Sequence, residues 1–179
     1  VAIDAKAAVL RAPNAIGPDG KVTPALAAKG VRVDRFVDPE IQYIYWNMRD
    51  PVVGGLGKEK IALRRALAMS YDVQEEIKVV RNGQAVEASY PIPPGVVGHV
   101  PNWKSMIAYD PAAANALLDR FGYKRGPDGW RTQPDGKPLA VQYASRPDTL
   151  GRQQEEMVKK GYDAIGVRMV PRKDKFPEL

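Results

Sequence analysis

The sequence predicts an α/β fold with a mixed sheet, flanking helices and long loops. Three observations lead to this fold class. Residues 139–170 have the pattern of a strand, a helix and a strand, and in one sheet this order implies a right-handed parallel crossover. Residues 58–71 and 111–121 carry apolar side chains at helical spacing. Gly and Pro, 16 of each in 179 residues, favour long connections between these elements.

The first part of the chain contains one short predicted helix. This helix covers 24–29 and is followed by an extended segment over 31–37, which includes Phe36-Val37. The motif Pro-Asp-Gly predicts a turn, because Pro fixes φ and Gly tolerates positive φ. It occurs at 18–20, 127–129 and 134–136.

Residues 41–48 are dense in aromatic and β-branched side chains, which predicts a mostly buried strand. Its polar end, Asn47, runs into a loop that contains Asp50-Pro51 and three glycines. Ligands often bind beyond the carboxyl ends of strands in α/β proteins, so Asn47 is a candidate binding residue. Stabilisation of the adjacent loop is an equally good interpretation of this side chain.

Two helices follow in the middle of the chain. The first covers about 58–71, with Arg64 and Arg65 away from its broad apolar face. Asp72 is predicted to cap the second, with Glu75 in the position of a capping-box partner and Asn82-Gly83 as the end. The predicted apolar face of the first consists of Ile61, Ala62, Leu63, Ala66, Leu67 and Met69.

Two further helices have clear start and stop signals. Asp110-Pro111 begins one and Gly122 ends it, because Pro suits the first helical position and Gly suits the residue after the last. The other covers 149–164, where Gly161 is expected to weaken the last turn and Gly166 to end the helix. Their predicted inward residues are Ala113, Ala116, Leu117, Leu118 and Phe121 in one, and Leu150, Met157, Val158 and Ile165 in the other.

The remaining segments are predicted to be loop and strand. Residues 88–104 have too many Pro and Gly residues for a regular element and predict a long, stiff loop. Such loops are often functional, and support of a neighbouring lobe is an equally good interpretation. Strands are predicted at 130–132, 139–143 and 167–170.

Several classes of chemistry lack the residues that they need. The chain has no cysteine, so it has neither a disulfide nor a thiolate nucleophile. His99 is the only histidine and has no other metal-binding side chain at ligand spacing. Gly54-Gly55-Leu56-Gly57 lacks the second half of a dinucleotide fingerprint, and Glu155-Glu156 are adjacent and point apart on a helix. We therefore expect no enzyme, no metal site and no cofactor.

Charge leaves one alternative open. The formal net charge is +6, but the 27 basic residues are interspersed with 21 acidic ones and form no long block. A mixed, solvated surface is the favoured interpretation. The alternative is a freestanding basic interaction domain that binds an anionic partner such as nucleic acid. No run of residues approaches the length of a membrane span, and the first residues do not read as a signal peptide.

A series of motifs in a fixed order resembles a known family. The resemblance covers about residues 40–170, and no single motif is specific by itself. The match is to the family 5 extracellular solute-binding proteins, the dipeptide- and oligopeptide-binding receptors of ABC importers. In order, the motifs are the aromatic segment ending at Asn47, Leu63-Arg64-Arg65-Ala66-Leu67-Ala68-Met69-Ser70-Tyr71-Asp72, Tyr90-Pro91-Ile92-Pro93-Pro94-Gly95, Tyr109-Asp110-Pro111, Gly122-Tyr123 and Ala164-Ile165-Gly166-Val167.

The resemblance implies a fold, a function and partners. The fold would be part of the second lobe of a bilobed, type II periplasmic-binding-protein-like protein of the peptide-binding class. Residues 1–38 would lead from the first lobe into the crossover, and 39–179 would form the second lobe, truncated at its C-terminus. The two lobes would close on a peptide or other small solute and deliver it to an ABC permease in the inner membrane. The location would be periplasmic, or extracellular and lipid-anchored in a Gram-positive host, with no nucleic acid partner.

The resemblance also suggests binding residues. In peptide-binding members an Arg holds the ligand carboxylate, and Arg146 lies near that position, although its neighbours differ and the spacing is about one residue off. An ordinary exposed loop arginine is the alternative for Arg146. Tyr90, Trp103 and Tyr143 could form the floor of a pocket, or pack in the core or between lobes. The acidic residue that binds the ligand amine in these members would lie beyond Leu179.

Overall fold

A strand, helix and strand unit forms the most regular part of the protein. The computed structural model describes residues 15–17, 19, 21–33 and 38–174. Strand β1 (Ala140–Ser145) and strand β2 (Arg168–Lys173) pair in parallel, with Ala140 opposite Arg168 and Ser145 opposite Lys173. The intervening helix, which is α5 in chain order, covers Thr149–Ala164 as predicted. The parallel pairing confirms the parallel arrangement expected from the sequence.

In the part of the chain that the structure describes, four other helices precede this unit. They are α1 (Pro24–Ala27), α2 (Lys58–Met69), α3 (Val73–Val79) and α4 (Pro111–Arg120). The Asp72 carboxylate accepts a hydrogen bond from the backbone N–H of Glu75 at 2.9 Å, and Asp110 caps α4 in the same way. Both N-caps were predicted, because Asp can satisfy an amide that the first helical turn leaves unpaired. No helix among the described residues is long and apolar enough to cross a membrane.

The core lies where α2, α4, α5 and the two strands meet. Helix α2 contributes its predicted apolar face, except that Ile61 is 40% exposed and Met69 only partly buried. The predicted stripe of α4 is correct in part: Leu118 is buried and Leu117 and Phe121 pack against the core, whereas Ala116 is exposed and Ala114 is buried instead. Burying Leu118 removes more apolar surface from water than burying Ala116, which explains the orientation of α4. The buried hydrophobic residues of the core cluster are Val53, Leu63, Ala66, Leu67, Ala114, Leu118, Tyr123, Leu139, Val141, Val158, Tyr162, Ile165 and Val167.

Gly161 has a packing role that the sequence did not show. It lies where α5 crosses the end of α2, and a Cβ atom there would be 2.4 Å from the backbone oxygen of Ser70. Ser70 is itself buried, with its hydroxyl donating to the Leu67 carbonyl at 2.8 Å. The expectation that Gly161 weakens α5 considered only helix propensity. Its lack of a side chain allows the two helices to approach closely.

Arg131 is a buried charge that the sequence also did not reveal. Only 3% of the residue is exposed, and its guanidinium donates to the carbonyl oxygens of Ile165 at 2.7 Å and Tyr123 at 2.5 Å. It also donates to the side chains of Asp119 and Asn115, at 2.5 and 2.8 Å. Arg131 therefore connects the end of α4 to the turn after α5.

Residues 41–48 do not form the buried strand that the sequence predicted. They are irregular, and Tyr43, Ile44, Tyr45 and Met48 are 73%, 43%, 67% and 45% exposed, although Trp46 packs against the core. Aromatic and β-branched residues indicate a strand only when a neighbouring strand supplies hydrogen bonds. None of the described residues pairs with 41–48 as a strand.

Among the described residues, neither the predicted strand at 130–132 nor the predicted extended segment at 31–37 forms a strand. Residues 130–132 make only single antiparallel bridges, from Arg131 to Arg125 and from Thr132 to Pro138. Residues 31–33 form no strand, and the rest of that predicted segment, including Phe36-Val37, lies outside the described residues, as do Pro18 and Gly20 of the first predicted turn. The other two turns form as predicted, with positive φ at Gly129 and Gly136.

Candidate functional site

The carboxyl ends of β1 and β2 bring several polar side chains together. Ser145, the last residue of β1, donates from its hydroxyl to the Glu155 carboxylate of α5 at 2.9 Å. Lys173, the last residue of β2, binds the same carboxylate and approaches the Ser145 hydroxyl at 3.2 Å. The parallel register places Ser145 opposite Lys173, so the two strands and α5 form this contact together.

A second polar group lies beside the first, and we call it the Glu76 cluster: Tyr71, Glu76, Arg81, Gln154 and Gln42. Its centre is the Glu76 carboxylate, which accepts from the Tyr71 hydroxyl at 2.8 Å and from Gln154 and Arg81 at 3.2 Å each. Gln42 accepts from Arg81 and, at 3.3 Å, from Gln154. The cluster therefore connects α3 and α5 to the irregular segment around Gln42.

Tyr143 on β1 lies within the electric field of both groups. Burial raises the pKa of its phenol, and the negative charges of Glu76 and Glu155 raise it further. The pKa of Tyr71 is raised for the same first reason, burial, and then by its hydrogen bond to Glu76. Both phenols therefore remain neutral at physiological pH. They can donate or accept hydrogen bonds.

The carboxylate of Glu155 is held in its charged form. Its hydrogen bond to Lys173 lowers its pKa most, and the hydroxyl of Ser145 lowers it further. The site thus combines neutral hydroxyls with charges that are already paired, which suits ligand binding by hydrogen bonds. Among the described residues, no group of three or more His, Asp or Glu side chains could hold a metal ion.

Of the predicted binding residues, Tyr143 and Arg146 lie at this end of β1. Arg146 follows the strand and pairs with Asp148 at 3.3 Å, with both side chains about half exposed. Asp148 also caps α5 by accepting from the backbone N–H of Gly151 at 2.7 Å. The cap fixes the position of Asp148, so its pairing with Arg146 restrains the guanidinium next to the strand end.

Tyr90 and Trp103 are together in the predicted loop, apart from the strand ends in sequence. Their ring centroids are 5.7 Å apart, and the His99 ring packs edge-on to Tyr90 at 6.1 Å. His99 forms a hydrogen bond from Nδ1 to the carbonyl oxygen of Ile92 at 2.7 Å, so Nδ1 carries the proton. Tyr90 is partly buried and Trp103 is 52% exposed, so one face of this aromatic group is open.

Asn47 lies in a separate turn and has a local partner. Its side-chain oxygen accepts from the backbone N–H of Arg49 at 3.0 Å. This is the loop-stabilising interaction that the sequence offered as one of two interpretations.

Sequence reasoning did not find Glu76, Glu155 and Lys173. Lys173 could have been found only from the strand register, which places it opposite Ser145. For Glu155 the sequence predicts only that it points away from its neighbour Glu156, because adjacent helical residues diverge. The structure agrees: Glu155 faces the strands, and Glu156 is exposed. Because the two side chains diverge, they cannot act together as a carboxylate pair. Glu155 alone can still contribute to a site.

Comparison with known proteins gives a family and a fold. The family model of bacterial extracellular solute-binding proteins, family 5, middle, matches residues 14–176. No curated protein matches the chain significantly.

Solved structures match over part of their length. An oligopeptide-binding protein OppA is 26% identical, with a TM-score of 0.61 over 71% of this chain and 20% of that one. Lactococcal OppA, complexed with an endogenous peptide in the closed conformation, is 26% identical, with a TM-score of 0.57 over 65% of this chain and 23% of that one. NikA from Brucella suis, in complex with Fe(III)-EDTA, is 25% identical, with a TM-score of 0.55 over 66% of this chain and 24% of that one. The chain thus spans about a quarter or less of the length of these proteins.

Proposed function

Since the chain belongs to family 5 of the bacterial extracellular solute-binding proteins, we propose that it takes part in capturing a small solute for import by an ABC transporter. The observation that carries this proposal is the family match over residues 14–176. The α/β fold supports it, because it matches solved structures of this class. Proteins of the family are substrate-binding proteins and not enzymes, and they work outside the cytoplasm.

We propose a peptide as the solute. Two of the similar structures are oligopeptide-binding proteins, one of them with a peptide bound. NikA, at about the same identity, is described with Fe(III)-EDTA, so a metal chelate is the main competing ligand. Neutral hydroxyls beside paired charges suit a peptide, whose main chain offers both donors and acceptors.

We propose that this chain contributes to one lobe of a two-lobed receptor. Residues 39–179 would belong to the second lobe and 1–38 would lead to it from the first. The chain spans about a quarter or less of its structural relatives, so a companion lobe would supply the rest of the cleft. Closure of the lobes around the ligand would then present it to the permease. The location would be the periplasm, or the outer face of the membrane through a lipid anchor.

Within this lobe we propose Tyr143 and Arg146 as the ligand contacts nearest the strand ends. The half-exposed guanidinium of Arg146 can exchange its contact with Asp148 for a ligand carboxylate, because an exposed ion pair holds weakly. The open aromatic face of Tyr90 and Trp103 would pack against an apolar part of the ligand. Asn47 is proposed as a further contact from its turn.

The test is a thermal-shift screen of the two-lobed receptor against peptides and metal chelates, followed by calorimetric titration. A peptide at about 100 times its Kd should stabilise the receptor by about 2.7 kcal/mol. Replacement of Arg146 with Ala should weaken binding, whereas replacement of Arg120, an exposed arginine at the end of α4, should not. If no peptide or other small solute raises the melting temperature while duplex DNA binds with a steep salt dependence, the proposal is wrong and the basic interaction domain replaces it.

A further inference from the structure

Helices α2 and α4 leave a shallow groove between them that lies outside the candidate site. The α2–α4 groove is lined by Lys58, Ile61, Ala62, Arg65, Leu117 and Phe121 and has a volume of about 180 Å³. None of these residues belongs to the proposed solute contacts. The volume is enough for one or two large apolar side chains.

The floor of the groove is apolar and open. Ile61 is 40% exposed, and Leu117 and Phe121 from α4 are only partly buried. On α2, the four lining residues follow the spacing of a single helix face, so the groove runs along the helix. An apolar side chain that entered this groove would remove Ile61 and Phe121 further from water.

Each end of the groove on α2 carries a cation that has no partner among the residues that the structure describes. Lys58 and Arg65 are seven residues apart, about 10 Å along the helix. Among the described residues, neither side chain has a hydrogen-bond or ion-pair partner. The other two cations of this helix differ: Lys60 donates to the carbonyl oxygens of Pro51 and Val52 at 2.8 Å each, and Arg64 donates to the 53–55 loop. Unpaired positive charge on α2 is therefore concentrated at the groove.

We propose that the α2–α4 groove binds an acidic amphipathic helix of a partner protein. Such a helix would insert one or two apolar side chains between α2 and α4. Carboxylates about two turns apart on the same face would reach Lys58 and Arg65. The apolar side chains provide affinity, and the two ion pairs set the register of the helix in the groove.

Shape and composition favour a helix over other anionic partners. A protein binds a lipid surface best through a convex apolar face surrounded by basic residues. The apolar floor of the α2–α4 groove is concave instead. A nucleic acid would use the cations but would leave Ile61 and Phe121 exposed. The proposal does not depend on the identity of the transported solute.

A labelled peptide tests the proposal directly. The probe is a fluorescein-labelled helical peptide of about 18 residues, with two adjacent Leu residues between Glu residues seven positions apart. Its binding to this chain is measured by fluorescence anisotropy. A scrambled peptide of the same composition is the control for charge alone. We expect saturable binding of the probe that weakens as salt is raised, and none of the scrambled peptide.

Matched variants distinguish binding in the groove from nonspecific electrostatic attraction to the chain. The pair Lys58→Glu and Arg65→Glu should weaken binding by about tenfold or more, because each substitution replaces attraction with repulsion. The pair Lys78→Glu and Lys104→Glu changes the net charge equally at exposed positions outside the groove and should leave affinity within about twofold. Ile61→Ser should also weaken binding with no change in charge. Circular dichroism and melting temperature confirm that each variant is folded.

Four outcomes would overturn the proposal. They are equal binding of the scrambled peptide, equal loss in the two charge-reversed pairs, absence of saturable binding to the unaltered chain, and binding of anionic phosphatidylglycerol vesicles but not of the peptide. A further titration uses the two-lobed receptor and can give a fifth outcome that overturns the proposal. If the receptor does not bind the probe, its own chain covers the groove and no partner protein does.

Discussion

Replacement of Arg131 with Met should destabilise the fold by about 3 kcal/mol, because Met keeps the unbranched apolar part of the side chain and removes its donors. The guanidinium is almost fully buried and donates to the carbonyl oxygens of Tyr123 and Ile165. These two acceptors would lose their side-chain donor inside the protein. The side chain of Asp119, by contrast, is 61% exposed and would accept hydrogen bonds from water instead.

The magnitude follows from the two carbonyl groups. A buried acceptor without a partner costs about 1–3 kcal/mol, so two of them cost about 2–6 kcal/mol. The apolar Met side chain, buried in place of a charged one, offsets part of this cost. In a chain of this length about 3 kcal/mol lowers the melting temperature by about 6–12 °C.

The assay is urea unfolding followed by circular dichroism, with Arg168→Met as the matched control. Arg168 lies over the Trp130 ring at 5.2 Å and pairs with Asp128, but its side chain is about half exposed. Its loss should cost less than about 1 kcal/mol. If Arg131→Met costs no more than Arg168→Met, the inference that buried carbonyl groups depend on Arg131 is refuted.

Three further predictions concern local contacts. Gly161→Ala should destabilise the protein by about 1–3 kcal/mol in chemical unfolding, because its Cβ would clash with the backbone of Ser70, although helix propensity alone predicts a gain. Glu155 should contribute stability that is full above its unfolded pKa of about 4.5 and is lost as the pH falls below it, since Lys173 lowers the pKa in the folded state. Unfolding of Glu155→Gln should therefore depend less on pH in this acidic range. Asp110→Ala should cost about 1 kcal/mol in the same assay by removing the cap of α4.

Each of these predictions has a control or a contrary outcome. A stabilised Gly161→Ala variant would show that Ser70 moves aside without cost. Glu156→Gln is the control for Glu155, because Glu156 is exposed on the same helix. An equal change in pH dependence in both variants would argue against the Lys173 contact. Asp110→Asn should retain most of the stability, since Asn also caps helices well, and a loss equal to that of Ala would contradict the capping argument.

Helices whose ends are marked by capping and stop residues were predictable from the sequence. Strands that require a neighbouring strand were not. Asp110 with Gly122, and Asp148 with Gly166, fix the ends of α4 and α5 by interactions within a few residues. Residues 41–48 carry an equally strong strand signal, but a strand also requires a neighbour that local sequence cannot supply. The structure accordingly leaves this segment irregular.

The same distinction applies to the candidate site. Tyr143 is a candidate because it lies on a recognisable strand, and Arg146 is a candidate only through the resemblance, which implies an arginine near that strand end. Glu76 and Glu155 come from two different helices, and only the packing of α3 and α5 brings them near Tyr143. Charged residues on helices are common, so nothing in their local sequence separates these two from exposed ones.

The Glu76 cluster offers a reason why the aromatic segment can remain exposed and still be held in place. Gln42 binds Arg81 and Gln154 through its side-chain oxygen, so polar bonds attach this segment to α3 and α5. Tyr43 and Tyr45 follow Gln42 in the same irregular segment, and most of their surface is exposed. If a companion lobe covered them, it would bury two aromatic side chains on a segment that is already bonded to α3 and α5. The Glu76 cluster and these exposed aromatic side chains are thus physically connected through Gln42.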